Sequence, residues 1–513
     1  MPKINLVSVE DGLIALGFRK IAGAVNDFYP DSTNSYYVPL NRTSLLQRIV
    51  TQQAEDNYEP YIESVAAEIA QADVVAFSSM SDYAQFVRDL IVAIRRINSK
   101  AYIVWGGVHS IIVPDDAIKH ADAICTGEGE IAFIDFLHKF SAGLNYYDTK
   151  NFWFRTEKGI KRNDLYPLQT NEQMSSFPQL EYANGKEYIY DRRKGFRKIT
   201  VHDYLLFNNL GYNTIWSIGC PFKCTYCGNT AFIKNDSSYR FVRHPDVDYI
   251  IEEILRAKKQ HPFINSVIFH DDSFMALPKN TLIDFATKYR EKCKIPFAVL
   301  GVIPNYVKEE KFEILVYAGM NRIRMGIQSG SERILKFYSR PSPPRIINNS
   351  TSIINKFKDY TVKPSYDIIV DNPVETKQDV VDTLELLYNM PRPYTVNIFS
   401  LRVMPNTDLY DQFKALNISH GDIYNGYFHI APTFANALIF LLSFYKPPRM
   451  VFDWCLERSL PFKQEQPQYP ILYLVFRFFS LASRALSHLR HMDFPYLPGH
   501  AGAILHYTGF LWM

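Results

Sequence analysis

Three cysteines fall within eight residues in the segment Gly219-Cys220-Pro221-Phe222-Lys223-Cys224-Thr225-Tyr226-Cys227-Gly228-Asn229. Thiolates at that density are metal ligands rather than parts of a disulfide framework, which would be denser and paired. The other three, Cys125, Cys293 and Cys455, are scattered and read as small buried apolar residues. One short loop with three thiolates can hold three corners of a cubane iron–sulfur cluster and leave its fourth iron open to a ligand. Structural zinc is the competing reading, but it wants a closed tetrahedron of four protein ligands. No fourth Cys or His lies close enough in sequence to complete one.

The loop must be positioned by what precedes it, and Thr214 to Ile218 reads as a strand. It opens a series of six, with Ser266 to His270, Phe297 to Gly301, Arg322 to Ile327, Pro364 to Val370 and Thr395 to Leu401. Helical patterns near 246–259, 279–292, 308–318, 345–359 and 377–389 alternate with them. Six βα units are two short of a closed eight-stranded barrel, which predicts a partial barrel with an open side. Polar segments end several of these strands: His270-Asp271-Asp272-Ser273, Gly326-Ile327-Gln328-Ser329-Gly330, and Asp371-Asn372-Pro373-Val374-Glu375. The first 140 or so residues show a separate βα alternation, with strands at Ile4 to Val9, Ala72 to Ser78, Ala101 to Trp105 and Ala121 to Cys125. Ser78-Ser79-Met80, Gly106-Gly107-Val108-His109 and Gly127-Glu128-Gly129-Glu130 follow three of them, at the strand ends where open α/β sheets bind ligands. Glycines there would let a flat ligand pack against backbone. The predicted divisions are 1–145, a linker or small subdomain at 146–210, the partial barrel at 211–405, and an aromatic-rich, mainly helical region at 406–513.

The spacing C-x3-C-x2-C with an aromatic before the last cysteine resembles the cluster motif of the radical S-adenosylmethionine (SAM) superfamily, and the resemblance covers roughly 210–405. It implies that Cys220, Cys224 and Cys227 ligate a [4Fe–4S] cluster whose unique iron is chelated by SAM. It also implies SAM contacts from Tyr226, Asp271, Asp272 and Ser273, from Gln328 and Ser329, and from Arg340 in Tyr338-Ser339-Arg340-Pro341. Many relatives have Glu where Gln328 stands, and glycines are more usual at Asp371 and Val374. The N-terminal loops are similar to those of the cobalamin-binding domain that precedes the barrel in one subgroup of that superfamily. This implies an α/β fold: a doubly wound, Rossmann-like cobalamin-binding domain, then a (βα)6 partial TIM barrel and a helical C-terminal domain. Cobalamin contacts are expected from Ser78, Ser79, Met80, Gly106, Gly107, His109, Gly127, Glu128 and Gly129. The D-x-H-x-x-G motif that supplies an axial histidine elsewhere is absent, so His109 is expected beside the cofactor rather than on its cobalt. A dinucleotide-binding domain is the generic alternative, weakened because no G-x-G-x-x-G follows the first strand.

Composition bounds the function. The 56 Lys+Arg against 53 Asp+Glu leave a net charge of +3, with no basic run to hold bulk nucleic acid. No signal peptide opens the chain, and no run of about 18 uninterrupted apolar residues occurs in it, which together predict a cytoplasmic protein. With 36 Phe, 34 Tyr and 5 Trp, the chain has bulky cores or handles something flat and apolar. The aromatic tail reads either as a lid over the open side of the barrel or as a peripheral surface reaching into lipid. The resemblance implies a cobalamin-dependent methyltransferase: a 5′-deoxyadenosyl radical abstracts hydrogen from an unactivated carbon, and methylcobalamin delivers a methyl group to the resulting substrate radical. The substrate would be a small molecule, lipid or peptide, and a flavodoxin or ferredoxin would donate electrons. A tetrapyrrole-type cyclase or oxidase, or a non-catalytic cobalamin or iron–sulfur sensor, are the alternatives.

Overall fold

The computed structural model describes residues 1–40, 59–180, 182, 185–418, 430–462 and 467–494. Apolar runs at the start of the chain form parallel strands β1 (Ile4–Glu10), β2 (Thr33–Pro39), β3 (Val74–Ser79), β4 (Tyr102–Gly106) and β5 (Ala123–Cys125). Two hairpins, β6 (Phe152–Thr156) with β7 (Gly159–Arg162) and β8 (Glu187–Asp191) with β9 (Gly195–Lys198), extend this sheet at opposite edges. The strand order is β7-β6-β5-β4-β3-β1-β2-β8-β9. Separate apolar clusters cover its two faces, as a buried parallel sheet requires.

Residues 146–210, expected as a linker or small subdomain, thus add four strands to the first sheet. The charged run Asp191-Arg192-Arg193-Lys194 is the turn of the β8–β9 hairpin, with the Lys194 and Arg193 amides donating to Asp191. Glu187 on β8 faces a buried Arg19 at 2.5 Å, fastening the added edge to the helix after β1.

The second unit is a parallel sheet of six strands in sequential order: β10 (Gly211–Thr214), β11 (Ser266–Phe269), β12 (Phe297–Val302), β13 (Met320–Gln328), β14 (Ser365–Val370) and β15 (Thr395–Ser400). No pairing joins β10 to β15, so the barrel is open on one side. The crossover helices fall where the periodicity places them; in Val247–Gln260, for example, Ile250, Ile251, Ile254 and Ala257 turn into the core. The first strand differs from expectation: it ends at Thr214, and Ile215 to Ile218 belong to the following loop.

Beyond the barrel, the helices Phe434–Phe444 and Pro470–Arg490 pack on each other and on β15, and Leu438, Leu442 and Tyr473 join the barrel core. Asp371 at the end of β14 pins the first of these helices, accepting from Asn436 Nδ2 at 2.9 Å and the Ala431 amide at 3.0 Å. Arg484 of the second reaches Asn397 on β15 at 3.1 Å. The two helices thus lie beside the last strand, at the open side of the barrel.

Candidate functional site

The cysteine loop is built by backbone hydrogen bonds that leave its thiols for other work. Ile218 pairs with Arg243 in an antiparallel bridge, and the Cys220 amide donates to Tyr239 O at 3.2 Å. Gly219 has φ +111°, and a Cβ there would meet Tyr239 O at 2.9 Å and Phe241 O closer still, so only glycine makes this turn. Further along, the Cys227 amide donates to Cys224 O and the Thr225 amide to Tyr338 O. Burial pushes the Cys220 thiol up to about 11 and the Cys227 thiol to about 12, so metal binding here must displace protons. Among the described residues no three His, Cys, Asp or Glu converge on a single metal ion.

Arg340 supplies the cation. It is buried, with Nη1 3.7 Å from Cys224 Sγ and 3.4 Å from the Tyr226 hydroxyl, while Nη2 donates to Gly326 O. Its Nε finds no hydrogen-bond partner among the described residues. Gln328, at φ +75°, folds its side-chain amide beside Gly326 and Arg340, where a Cβ on Gly326 would lie 2.5 Å from Gln328 Nε2. Tyr226 and Arg340 therefore meet at Cys224, with Gln328 beside Arg340. A buried guanidinium with an unpartnered nitrogen beside three thiols fits an anionic cluster and a ligand carboxylate.

The residues after β11 have another task. Asp271 accepts from the Trp216 amide at 3.2 Å and the Ser217 amide at 2.5 Å, with the Ser217 hydroxyl as a third donor. Ser273 Oγ donates to Gly219 O at 2.9 Å, and Asp272 accepts from Tyr239 at 3.4 Å. All three brace the cysteine loop, where the expectation had them facing SAM. Burial lifts the Asp271 carboxyl to about 7 in spite of its donors. Ser329 is likewise engaged, its Oγ 3.2 Å from Thr383 Oγ1 and accepting from the Ser331 amide.

Between the two sheets lies a cavity of about 700 Å³. Ser78, Ser79 and Met80 after β3, Gly106 and Gly107 after β4, and Gly127, Glu128 and Gly129 after β5 all line it. Its apolar end runs into the N-terminal domain past Leu6, Ala76 and Val104, and Trp216, Ile218 and His270 form the barrel-side wall. His109 is not part of it. The imidazole is fully buried, 3.2 Å from Ser81 Oγ, 3.1 Å from Asp116 Oδ2 and packed on Trp105, which removes it from the expected cofactor contacts. One of the glycines also has a reason other than the expected one. A Cβ on Gly107 (φ +86°) would meet Ser79 N at 2.8 Å, and one on Gly129 would meet Ile21 at 2.9 Å. Contact with the Ser79 backbone therefore requires glycine at 107, whereas at 129 only the tip of the Ile21 side chain stands in the way and at 106 a Cβ would meet nothing closer than 3.7 Å.

Sequence reasoning missed several wall residues. Glu10 at the end of β1 is one; burial first, then Asp11, pushes its carboxyl up to about 7. Leu168 and Phe177, from the stretch between the two βα series, are others. His270 Nε2 sits 2.8 Å from Asn213 Oδ1, and burial followed by Arg324 drives its imidazole down to about 4, so it is neutral. Its place at a strand end was the available signal. Glu128 is among the expected cobalamin contacts, whereas its partner Arg243, 2.6 Å away, carried no signal.

Residues 3–137 match the family model described as B12 binding domain, and residues 214–387 match that of the radical SAM superfamily. An uncharacterised methyltransferase of Pyrococcus horikoshii is 22% identical over 330 residues, 63% of this chain and 65% of that protein. An anaerobic magnesium-protoporphyrin IX monomethyl ester cyclase of Rubrivivax gelatinosus is 21% identical over 331 residues, 62% of this chain and 54% of its own. The chain thus spans between about half and two thirds of the length of these curated relatives. Among solved structures, the radical SAM methyltransferase TsrM from Kitasatospora setae, with tryptophan and a SAM analogue, superposes with a TM-score of 0.60 at 14% identity, covering 80% of this chain and 76% of that one. OxsB, a cobalamin-dependent SAM radical enzyme with aqua-cobalamin bound, gives 0.62 at 14% identity, covering 99% and 75%. At such identities the likeness is one of fold.

Proposed function

We propose that this chain, which joins a B12 binding domain to a radical SAM domain, is a cobalamin-dependent radical SAM enzyme that methylates an unactivated carbon of a small-molecule substrate. The observation that carries the reading is the shared cavity, whose walls are the glycine loops on one side and the approach to the cysteine loop on the other. Cys220, Cys224 and Cys227 hold the [4Fe–4S] cluster; Arg340 faces the SAM carboxylate, with Gln328 and Tyr226 beside it. Ser78, Ser79, Met80, Gly106, Gly107 and the Gly127–Gly129 loop cradle cobalamin. When bound, the cluster supplies the electron that releases a 5′-deoxyadenosyl radical from SAM, and cobalamin supplies the methyl group. Asp271, Asp272 and Ser273 keep the cysteine loop in place, the neutral His270 lines the cavity without adding charge, and Trp216 and Ile218 exclude water from the space a radical would cross. A flavodoxin- or ferredoxin-type donor completes the reaction.

The test is turnover of anaerobically reconstituted, reduced protein with methyl-labelled SAM and candidate substrates, reading 5′-deoxyadenosine and the product's mass. Label in the product is the expected result. A cyclised or oxidised product without label would establish the cyclase reading favoured by the Rubrivivax similarity. Cofactor binding with no 5′-deoxyadenosine released would make the protein a sensor.

A further inference from the structure

Side chains alternate along a strand, so each barrel strand serves the surrounding helices with one set and the interior with the other. On β13 the helices take Ile323, Met325 and Ile327, all in the barrel core. The interior takes Arg324, Gly326 and Gln328. Arg324 thus shares a face with the two residues beside Arg340, and sits about 7 Å along the strand from Gly326. By the same alternation Asp367 on β14 and Asn397 and Phe399 on β15 point inward, since Ile368, Val396 and Ile398 belong to the helix-facing core.

A hydrogen-bonded row runs across these strands. Arg324 Nε donates to both carboxylate oxygens of Asp367 at 2.9 Å, Asn397 Nδ2 donates to Asp367 at 2.8 Å, and Arg484 Nη1 donates to Asn397 at 3.1 Å. Only one of the five N–H donors of the Arg324 guanidinium is used in this way. Its Nη1 and Nη2 have no hydrogen-bond partner among the described residues, and the side chain is 37% exposed. The guanidinium carbon lies 5.2 Å from the ring of Phe399, and its charge helps to depress the imidazole of His270 in the wall of the shared cavity. An ion pair that merely tied β13 to β14 would gain little over apolar residues at the same places. Such a tie does not account for a pair of open donors inside the barrel, on the face that leads to Arg340.

We propose that Arg324 is the anchor of the substrate: its two terminal nitrogens take the carboxylate of a small apolar acid whose hydrocarbon part lies along Phe399, with Asp367 as the positioning residue. This substrate class rests on the methyltransferase reading of the two domains. The planar fork of a guanidinium matches the two oxygens of a carboxylate. Asp367, at the other edge of the same group, repels a second negative charge, which sets a carboxylate ahead of a phosphate dianion. With its anchor about 7 Å from Gly326, an acid of a few carbons extends to the part of the barrel beside Gln328 and Arg340.

Saturation-transfer NMR of the full chain, anaerobically reconstituted with its cofactors, reads binding without turnover. Phenylacetate should bind with a Kd of about a millimolar or tighter, and phenylacetamide and benzyl phosphate at least about tenfold more weakly. Arg324→Gln should lose at least about tenfold in phenylacetate affinity, and the preference for acid over amide with it, while iron content and SAM affinity stay at wild type. Arg324→Lys keeps a cation opposite Asp367 but loses the planar fork, so it should weaken the acid several-fold and carries the test if the glutamine variant misfolds. Asp367→Asn should narrow the gap between phenylacetate and benzyl phosphate, a change that loss of packing alone does not produce. The assignment is overturned if phenylacetate does not bind, if acid and amide bind alike, if benzyl phosphate binds as well as the acid, or if neither Arg324 variant changes the acid's affinity. Acid-selective binding with no 5′-deoxyadenosine released on reduction would keep the subsite and remove the chemistry; methylation of substrates without a carboxylate would do the reverse.

Discussion

A guanidinium withdrawn from water is costly unless an anion faces it, and Arg340 is buried with its Nε unpartnered beside Cys224. Under the proposed function that anion is the SAM carboxylate with the cluster behind it. Arg340→Gln should therefore keep its irons and bind SAM about tenfold or more weakly; a wild-type Kd by equilibrium dialysis would remove Arg340 from the site. Cys224→Ala should lose most of about four irons per chain and all release of 5′-deoxyadenosine, and retention of both would overturn the cluster assignment. Glu10 gives a pH-dependent prediction. Its carboxyl is pushed up to about 7 from an ordinary ~4.3, so over that window the folded protein holds a proton that the unfolded chain releases. Its contribution to stability is full below the ordinary value and is lost as pH rises through about 7. Glu10→Gln never ionises, so its Tm advantage in the cofactor-free protein should widen by about 2 °C or more from about pH 5 to about pH 8; a constant difference would contradict this. The cysteines were legible because their spacing is local. The bracing role of Asp271 was not, because its partner Ser217 lies 54 residues earlier and meets it only once β10 and β11 are paired.

At the scale of elements, long periodic segments could be read from the sequence and short ones could not. The crossover helices and five of the six barrel strands fall within a few residues of their apolar patterns. The exception is β10, where Ile215-Trp216-Ser217-Ile218 looks like a strand but gives the Trp216 and Ser217 amides to Asp271 instead of a neighbouring strand. The β8–β9 hairpin was hidden because a charged three-residue turn, Arg192–Lys194, between four- and five-residue strands looks the same as a linker. The conformation of the cysteine loop rests on Gly219, so Gly219→Ala should expel the clasp formed by Tyr239 and Phe241 and abolish iron loading. Cobalamin binding by the N-terminal domain should fall much less. Gly107→Ala should do the reverse, because its Cβ would strike the Ser79 amide at the cavity wall while the cysteine loop stays intact. Iron analysis and cobalamin absorbance on the same two preparations check both, and parallel losses in either variant would mean that the two elements do not act separately.

In the whole molecule the two sheets are joined by polar contacts that no sequence pattern announced. Arg402 meets Asp82 at 3.0 Å, Asn235 reaches Thr126 O at 3.3 Å, and Arg243 meets Glu128 at 2.6 Å across 115 residues of chain. Glu128 was picked out only as part of a glycine-flanked loop, and Arg243 not at all. Yet Arg243 holds both sides of the cavity: its backbone pairs with Ile218, two residues before Cys220, and its side chain grips the loop after β5. Arg243→Ala preserves the backbone bridge and cuts only the side-chain link, which separates the two tasks. The irons should stay, and cobalamin should bind several-fold more weakly because the loops facing the barrel lose their anchor. In a double-mutant cycle with Glu128→Ala, the two losses should be coupled by about 0.5–3 kcal/mol, the range for a partly buried ion pair in direct contact. Full additivity in cobalamin affinity would mean that the cavity is held by the apolar contacts of Trp216 and Ile218, with the ion pair incidental to it.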